Sequence, residues 1–186
     1  MQSGRRILLW SLLVVWGVGV GLAWWWLDGR HARNFERPAY FQGLEVAGPF
    51  PPGQVQVVHV WQSNCVCNAG HEAYISEMTR RFSEQGVRFA RAGSLPGGRG
   101  DILGDLPHWP LPQRWADWPG GPSVAIWDAA GKLAYVGPYS DGASCNADSS
   151  FIEPVLQALL QGRTVHAAQY DTVACLCELD EEAYER

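Results

Sequence analysis

Between Ile7 and Leu27 the chain has no charged residue, and Ser11 is the only clearly polar side chain there. Positive charge is in deficit overall: the formal net charge is -5, which removes the electrostatic footprint of a nucleic-acid binder. The apolar-poor composition of disordered chains is missing too. Of the 186 residues 47% are hydrophobic and ten are Trp, enough for one ordinary domain with an appendage. Finally, the chain has no Cys-x-x-Cys. Its five cysteines fall as Cys65-Val66-Cys67, Cys145 and Cys175-Leu176-Cys177. An odd number leaves at least one thiol over, or pairs it transiently or with another chain.

The uncharged run is long enough to matter. At about 1.5 Å per residue, Ile7 to Leu27 spans the roughly 30 Å hydrocarbon layer of a bilayer. Trp24, Trp25 and Trp26 resemble an interfacial aromatic belt. A cleaved signal peptide is the alternative, with Gly21-Leu22-Ala23 as a passable small-x-small site. Arg5 and Arg6 precede the run while Arg30, Arg33 and Arg37 follow it, so charge alone does not orient it. The expectation is a cytoplasmic tail over 1–6, an uncleaved transmembrane anchor over 7–27 and an exported domain, where disulfides are allowed.

Residues 28–53 read as a connector, polar at first and then broken by "GPFPPGQ". "VQVVHVW" (55–61) reads as a buried strand. "AGHEAYISEMTRRFSEQ" (69–85) reads as a helix with Ile75, Met78 and Phe82 on one face, closed by Gly86, and "VRFARAG" (87–93) as a second strand. The Pro-, Gly- and Trp-rich stretch from 96 to 121 has room for a short helix at most. "PSVAIWD" (122–128), the turn "AAGK" and "LAYVGPYS" (133–140) read as a β-hairpin. Ser150 and Glu153 suggest a capping box for a helix that stops at Gly162. Residues 163–186 read as an acidic, solvated tail carrying the second Cys-x-Cys. The order strand, helix, strand, irregular stretch, hairpin, helix predicts an α/β sandwich over 54–162.

That order, with "VVHVWQSNC", "GGPSVAIWD" and "DAAGKLAYVG", resembles the thioredoxin-like superfamily over roughly residues 54–162, and most of all the membrane-anchored thioredoxins that face the bacterial periplasm. The resemblance implies a thioredoxin-like βαβ…ββα fold, a four-stranded sheet with helices on both faces, and an inner-membrane anchor. It implies Cys65 as the catalytic cysteine, four residues after Trp61, and a cis Pro122 facing it. Trp61, Gly121 and Pro122 would then border an extended substrate. The second family cysteine is replaced by Asn68, and Cys67 takes the position before it.

A cysteine at a helix N-terminus has its thiolate stabilised, which is what a nucleophile needs, although a buried inert thiol is the plainer reading. Cys67 points away from Cys65 if both are helical, so a bond between them needs a distorted first turn. His59, where the family often has a buried acid, is a candidate proton relay or a hydrogen-bonded core histidine. Cys145 lies on the connection that borders the active site in this fold. Cys145 and Cys67 are equal candidates to resolve a mixed disulfide on Cys65, with Cys175 and Cys177 a separate pair or an electron shuttle. Cys65, Cys67 and His71 could also gather a soft cation such as Cu(I) or zinc, though not in a standard zinc pattern.

Three functions follow. The first is a thiol-disulfide oxidoreductase without metal or cofactor, acting on thiol- or disulfide-containing envelope proteins. The others are a Cu(I)-handling module and a redox-inert interaction domain.

Overall fold

The structure is a computed structural model that describes residues 2–35, 46–94, 103–165, 167–168 and 172–184. It divides into two units, Met1–Ala32 and Arg33–Arg186. The first is essentially one helix, α1 (Gln2–His31). Its thirty residues extend about 45 Å at 1.5 Å each, enough to cross a bilayer. Among the described residues it is the one helix long and apolar enough to do so. It begins before the expected anchor and runs past Leu27, so most of the expected tail and the start of the connector are helical. Trp10, Trp16, Trp24 and Trp25 are exposed along it. The Ser11 hydroxyl donates to the Ile7 carbonyl at 2.9 Å, so the polar group in the run is satisfied internally. The Arg30 guanidinium lies 4.8 Å above the Trp26 ring.

The second unit is a mixed α/β domain. Its elements are β1 (Ala32–Asn34), β2 (Gln56–Val60), α2 (Glu72–Ser83), β3 (Arg88–Ala92), β4 (Ser123–Trp127), β5 (Leu133–Pro138), α3 (Ile152–Leu160), β6 (Ala167–Ala168) and β7 (Val173–Cys175). Five strands form one sheet in the order β3-β2-β4-β5-β6, and β1 pairs with β7 in a second, two-stranded sheet. β2 is parallel to β3 and antiparallel to β4, and β4 is antiparallel to β5. The expected strand-helix-strand start and hairpin are present. A fifth strand, β6, adds parallel to β5 from the region expected to be a tail.

β2 is buried on both faces, and its period-2 alternation divides the core. Val57 and Trp61 join Ile75, Met78 and Phe82 of α2 and Ile152, Leu156 and Leu159 of α3 in one cluster. Val58 and Val60 face the other way, with Ala90, Ala125 and Val136. Two α-helices therefore cover one face. Among the described residues the opposite face carries no α-helix. Its cover is Leu111, Trp115, Trp118, Ala174 and Leu176, from the Pro-rich stretch and the C-terminal segment. The prolines between Pro107 and Pro119 deny that stretch a regular helix, so it buries area through indole rings instead. Trp115 stacks on Trp127 with centroids 6.0 Å apart and lies 5.0 Å from Trp118.

The C-terminal segment is not a solvated tail. Leu176 and Ala183 are fully buried, and the Leu111 N–H donates to the Ala183 carbonyl at 2.7 Å. The connector is stitched down as well where it is described. The Gln56 carboxamide accepts from the Phe50 N–H and donates to the Phe50 carbonyl, each at 2.9 Å. Residues 36–45 of the connector, 95–102 of the Pro-rich stretch, and 166, 169–171 and 185–186 of the tail lie outside the described residues.

The ends of α3 follow their sequence signals in part. Ser150 Oγ accepts from the N–H groups of Ile152 and Glu153 at 3.1 and 3.3 Å. The Glu153 carboxylate does not return to close the box but pairs with Arg81 on α2. Gly162, at φ 73°, ends α3.

Trp115 lies at the centre of the indole cluster on this face. Trp115→Ala is expected to cost about 3–5 kcal/mol of unfolding free energy, the range for truncating a buried aromatic, measured by guanidinium titration of the detergent-solubilised chain. A loss under about 1 kcal/mol would show that this layer is dispensable.

Candidate functional site

The site is a loop between β2 and α2 facing a strand-like C-terminal segment. The loop leaves β2 at Trp61, whose N–H donates to the Ala92 carbonyl at 2.9 Å. Gly93, at φ 87°, is needed beside it, since a Cβ there would run into the Trp61 carbonyl oxygen. Asn64 takes a left-handed conformation at φ 60°, which Asn tolerates better than most residues. Cys65 and Cys67 then lie in turns, followed by a short 3-10 segment, Asn68–Gly70. α2 starts only at Glu72, later than the sequence reading placed it. Cys65 is therefore not at the N-terminus of α2, and the dipole argument for its thiolate loses its geometry.

Asn68 is a brace. Its Nδ2 donates to the Gln62 carbonyl at 2.9 Å, and its N–H donates to the Cys65 carbonyl at 3.1 Å. His71 is buried, and its Nδ1 lies 2.9 Å from the Cys67 carbonyl. A carbonyl only accepts, so Nδ1 carries the proton. Burial lowers the pKa of this imidazole, and the bond to Cys67 opposes that in part.

Opposite the loop lie residues 173–177. Their alternation sets Ala174 and Leu176 into the core, and the cysteines between them turn the other way, towards the loop. Both cysteines of this Cys-x-Cys thus face one side. They meet the two cysteines of the loop in two disulfides, Cys65–Cys177 and Cys67–Cys175, with Cα atoms 5.8 and 5.6 Å apart. The sulfurs of Cys67 and Cys177 lie within 4.8 Å of each other, so the two bonds are adjacent.

Both expected partners of Cys65 are thereby corrected. Cys67 is bonded to Cys175 rather than to Cys65, because Cys65 lies ahead of the turn that leads into the 3-10 segment and both cysteines can face the C-terminal segment. Cys145 is a free, buried thiol. Its connection does border the site, since the Cys145 N–H donates to the Gly70 carbonyl at 3.0 Å. The thiol turns instead to the Tyr139 carbonyl at 3.7 Å, and burial pushes its pKa up, away from the reactive thiolate.

The remaining candidates fall as follows. The Gly121–Pro122 peptide bond is cis, and the Gly121 carbonyl oxygen is 3.7 Å from Cys65 Sγ. Gly121 exchanges two backbone hydrogen bonds with Cys177: its N–H donates to the Cys177 carbonyl at 3.0 Å, and the Cys177 N–H donates back at 2.7 Å. Gly120 makes room for this approach, because a Cβ there would collide with the Cys177 carbonyl. Trp61 is buried at 1% exposure, inside the core rather than on an open substrate surface. His59 is fully buried, hydrogen-bonded through Nδ1 to the Tyr139 hydroxyl at 2.5 Å and through Nε2 to Thr79 at 2.9 Å, and stacked on Phe89. Desolvation pushes its pKa down to about 3, so near neutral pH it is an uncharged, satisfied core histidine.

Gln62 completes the clamp on the C-terminal segment. Its Nε2 donates to the Asp180 carboxylate at 2.6 Å, and its Oε1 accepts from the Asp180 N–H at 3.0 Å. Gln62 is not singled out by the sequence, and Cys175 and Cys177 rank there below Cys145 and Cys67 as partners of Cys65. The available signal was the alternation Val173-Ala174-Cys175-Leu176-Cys177, which reads as a half-buried strand with both thiols on one face. As for metal, a sulfur bonded to sulfur offers no thiolate, so in this oxidation state Cys65, Cys67 and His71 do not form a Cu(I) or zinc site.

Residues 37–179 match the family described as a domain of unknown function, DUF6436. The chain belongs to that family. No curated protein matches it. Among solved structures it is similar to a hypothetical protein from Sinorhizobium meliloti 1021, at 14% identity and a TM-score of 0.50 over 79% of this chain and 93% of that one. It is also similar to an uncharacterized conserved protein from Geobacillus kaustophilus, at 16% identity and a TM-score of 0.46 over 82% and 94%. The first likeness concerns the fold alone.

Two measurements test this geometry. In the chain-entropy picture, a disulfide closing a loop of about 110 residues contributes roughly 5 kcal/mol, and its neighbour, closing a small ring once the first is made, roughly 2. Replacing either pair with Ala is thus expected to cost roughly 2 kcal/mol and replacing both roughly 7, a non-additive pattern read by guanidinium titration. Additive losses of roughly 5 kcal/mol for each pair would show that the bonds do not share one long loop.

His59 gives the second. The unfolded chain takes up its proton near pH 6.5, the folded chain only near 3. The unfolded state therefore binds more protons across this window, and stability is lost as pH falls from about 6.5 towards 3, by up to about 1.4 kcal/mol per pH unit. His59→Gln is expected to remove this component of the slope, and an unchanged slope would mean that His59 protonates freely in the fold.

Proposed function

We propose that the domain is thioredoxin-like and works as a membrane-anchored thiol-disulfide oxidoreductase of the cell envelope, with Cys65 as the exchanging sulfur. The observation that carries this reading is the set of groups around that sulfur. Cys65 is disulfide-bonded, beside the carbonyl of a residue that precedes a cis proline, and its bonded partner pairs with that same residue as an extended strand. The strand order β3-β2-β4-β5, with one parallel and two antiparallel neighbours and two helices on one face, supports the fold assignment. Four of five cysteines in disulfides suit an oxidising compartment, and α1 suits an anchor in the inner membrane with the domain in the periplasm.

The chemistry is direct exchange. A thiolate of a partner protein attacks Cys65 Sγ, the bond to Cys177 breaks, and Cys177 leaves with the electron pair and takes up a proton. A second thiol of the partner then attacks the partner's own sulfur in the mixed disulfide and frees Cys65. The partner is oxidised by two electrons and the Cys65–Cys177 bond is reduced. The reverse sequence reduces a partner disulfide, and the relative potentials of the two proteins set the direction.

A second reading, a redox-inert interaction domain, is favoured by burial: Cys65 is 7% and Cys67 2% exposed. It expects both disulfides to resist dithiothreitol until the domain unfolds. The test is exchange with a small fluorogenic glutathione disulfide after mild reduction. Cys65→Ser is expected to lower the rate by at least about tenfold, since the attacking thiolate is lost, while Cys145→Ser stays within about twofold of the parent. Equal rates for the parent and Cys65→Ser would overturn the assignment.

A further inference from the structure

The C-terminal Cys-x-Cys segment is held in three different ways at the same place. Backbone hydrogen bonds tie Cys177 to Gly121 on both its N–H and its carbonyl. Two disulfides tie Cys177 and Cys175 to the loop. Leu176 between them is fully buried against the sheet face opposite α2 and α3. Gly120 and Gly121 keep that edge free of side chains: a Cβ on Gly120 would also come within 3.3 Å of the Leu176 Cβ. An edge with a free donor and a free acceptor, bare of side chains and beside a reactive sulfur, is suited to an extended polypeptide, and here the chain itself fills it.

We propose that residues 172–180 are a tethered occupant of this docking edge, latched by both disulfides, and that reduction of both vacates it for an extended segment of another polypeptide bearing a cysteine preceded by an apolar residue. The proposal rests on the exchange reading above and deepens it by naming the substrate class. Cys177 stands where the substrate cysteine would be, and Leu176 fills the position of the preceding apolar residue. One disulfide alone retains the segment, because Cys65–Cys177 and Cys67–Cys175 hold the same strand two residues apart.

Opening takes four electrons. At each bond a dithiol reductant attacks one sulfur as thiolate and the S–S bond breaks. The second thiol of the reductant then attacks its own sulfur in the mixed disulfide and leaves as a disulfide. Two dithiols supply the four electrons and four protons that convert Cys65, Cys67, Cys175 and Cys177 to thiols. Cys175 and Cys177 are half-exposed while Cys65 and Cys67 are buried, so the reductant reaches the latch from the C-terminal side.

The test uses the full chain in detergent, oxidised or reduced by dithiothreitol that is then removed without air. Amide hydrogen exchange comes first. On reduction the Gly121 and Cys177 amides are expected to exchange at least about tenfold faster, while those of Val57 to Val60 in β2 keep their protection. Unchanged protection at Gly121 and Cys177 would overturn the latch.

The second arm uses a synthetic peptide with the sequence of residues 172–180, the first cysteine replaced by Ser and the second activated as a mixed disulfide with thionitrobenzoate. Cys65 attacks the peptide sulfur, the thionitrobenzoate leaves as a coloured thiolate, and the proton of the Cys65 thiol goes to solvent. The reduced chain is expected to form this bond at Cys65 at least about tenfold faster than with a peptide N-methylated at that cysteine, which cannot donate to the Gly121 carbonyl. Equal rates for the two peptides overturn docking at the edge. Failure of Cys65 to react with either peptide overturns the exchange reading instead, and the amide measurement still judges the latch.

Discussion

A strand buried on both faces needs a layer on each side, and β2 imposes that demand on everything around it. Its alternating residues send Val57, His59 and Trp61 towards the two helices and Val58 and Val60 the other way. The helix side is readily satisfied by amphipathic α2 and α3. Among the described residues the other side is covered mainly by a proline-broken stretch and a short C-terminal segment, with Phe35 beside them. Among those residues the stretch and the segment each have a single 3-10 turn of their own, Gln113–Trp115 and Glu181–Ala183, so each is fixed largely from outside, by stacked indoles in the first case and by the loop cysteines in the second. The disulfides thus complete a layer as well as a site, and the loop leaving β2 is where the two roles meet.

The same demand explains the polar groups of the interior. His59 sits on the helix-facing side of β2, and a charged imidazole there would have no partner. Tyr139 and Thr79 satisfy its two nitrogens as a neutral ring, which suits a packing residue better than a proton relay. Gln62 and Asp180 do comparable work at the rim, tying the chain just after β2 to the chain just after the second Cys-x-Cys.

Much of this was legible in the sequence, and the failures share one cause. The Val-rich run, the Ile75, Met78 and Phe82 face, the hairpin around "AAGK" and the stop at Gly162 are local signals, and the structure carries all of them. So does the membrane-length run, although the helix extends beyond it at both ends. What was misread depends on contacts between distant residues. Helical geometry was assumed for Cys65 and Cys67, which set them on opposite sides; turns at 65–67 put both towards the C-terminal segment. The charged residues after Cys177 suggest a solvated end, whereas the burial of Leu176 and Ala183 depends on contacts with distant parts of the chain. Cys145 was placed near the site correctly by its backbone, but nothing local shows that its thiol turns inward to Tyr139.

The spacing of the cysteine pairs has a consequence for how the molecule is made. The partners are 112 and 108 residues apart, so at roughly 5–20 residues per second Cys65 and Cys67 are synthesised some 5–20 seconds before Cys175 and Cys177. β2 to β5, both helices of the domain and Cys145 all precede those last thiols. The native bonds can close only after the final segment has arrived, on a sheet whose strands have already been laid down. Assembly therefore runs from the hydrophobic layer to the covalent one. Until Leu176 finds its place, the early thiols stand unpaired among neighbours that are not their own.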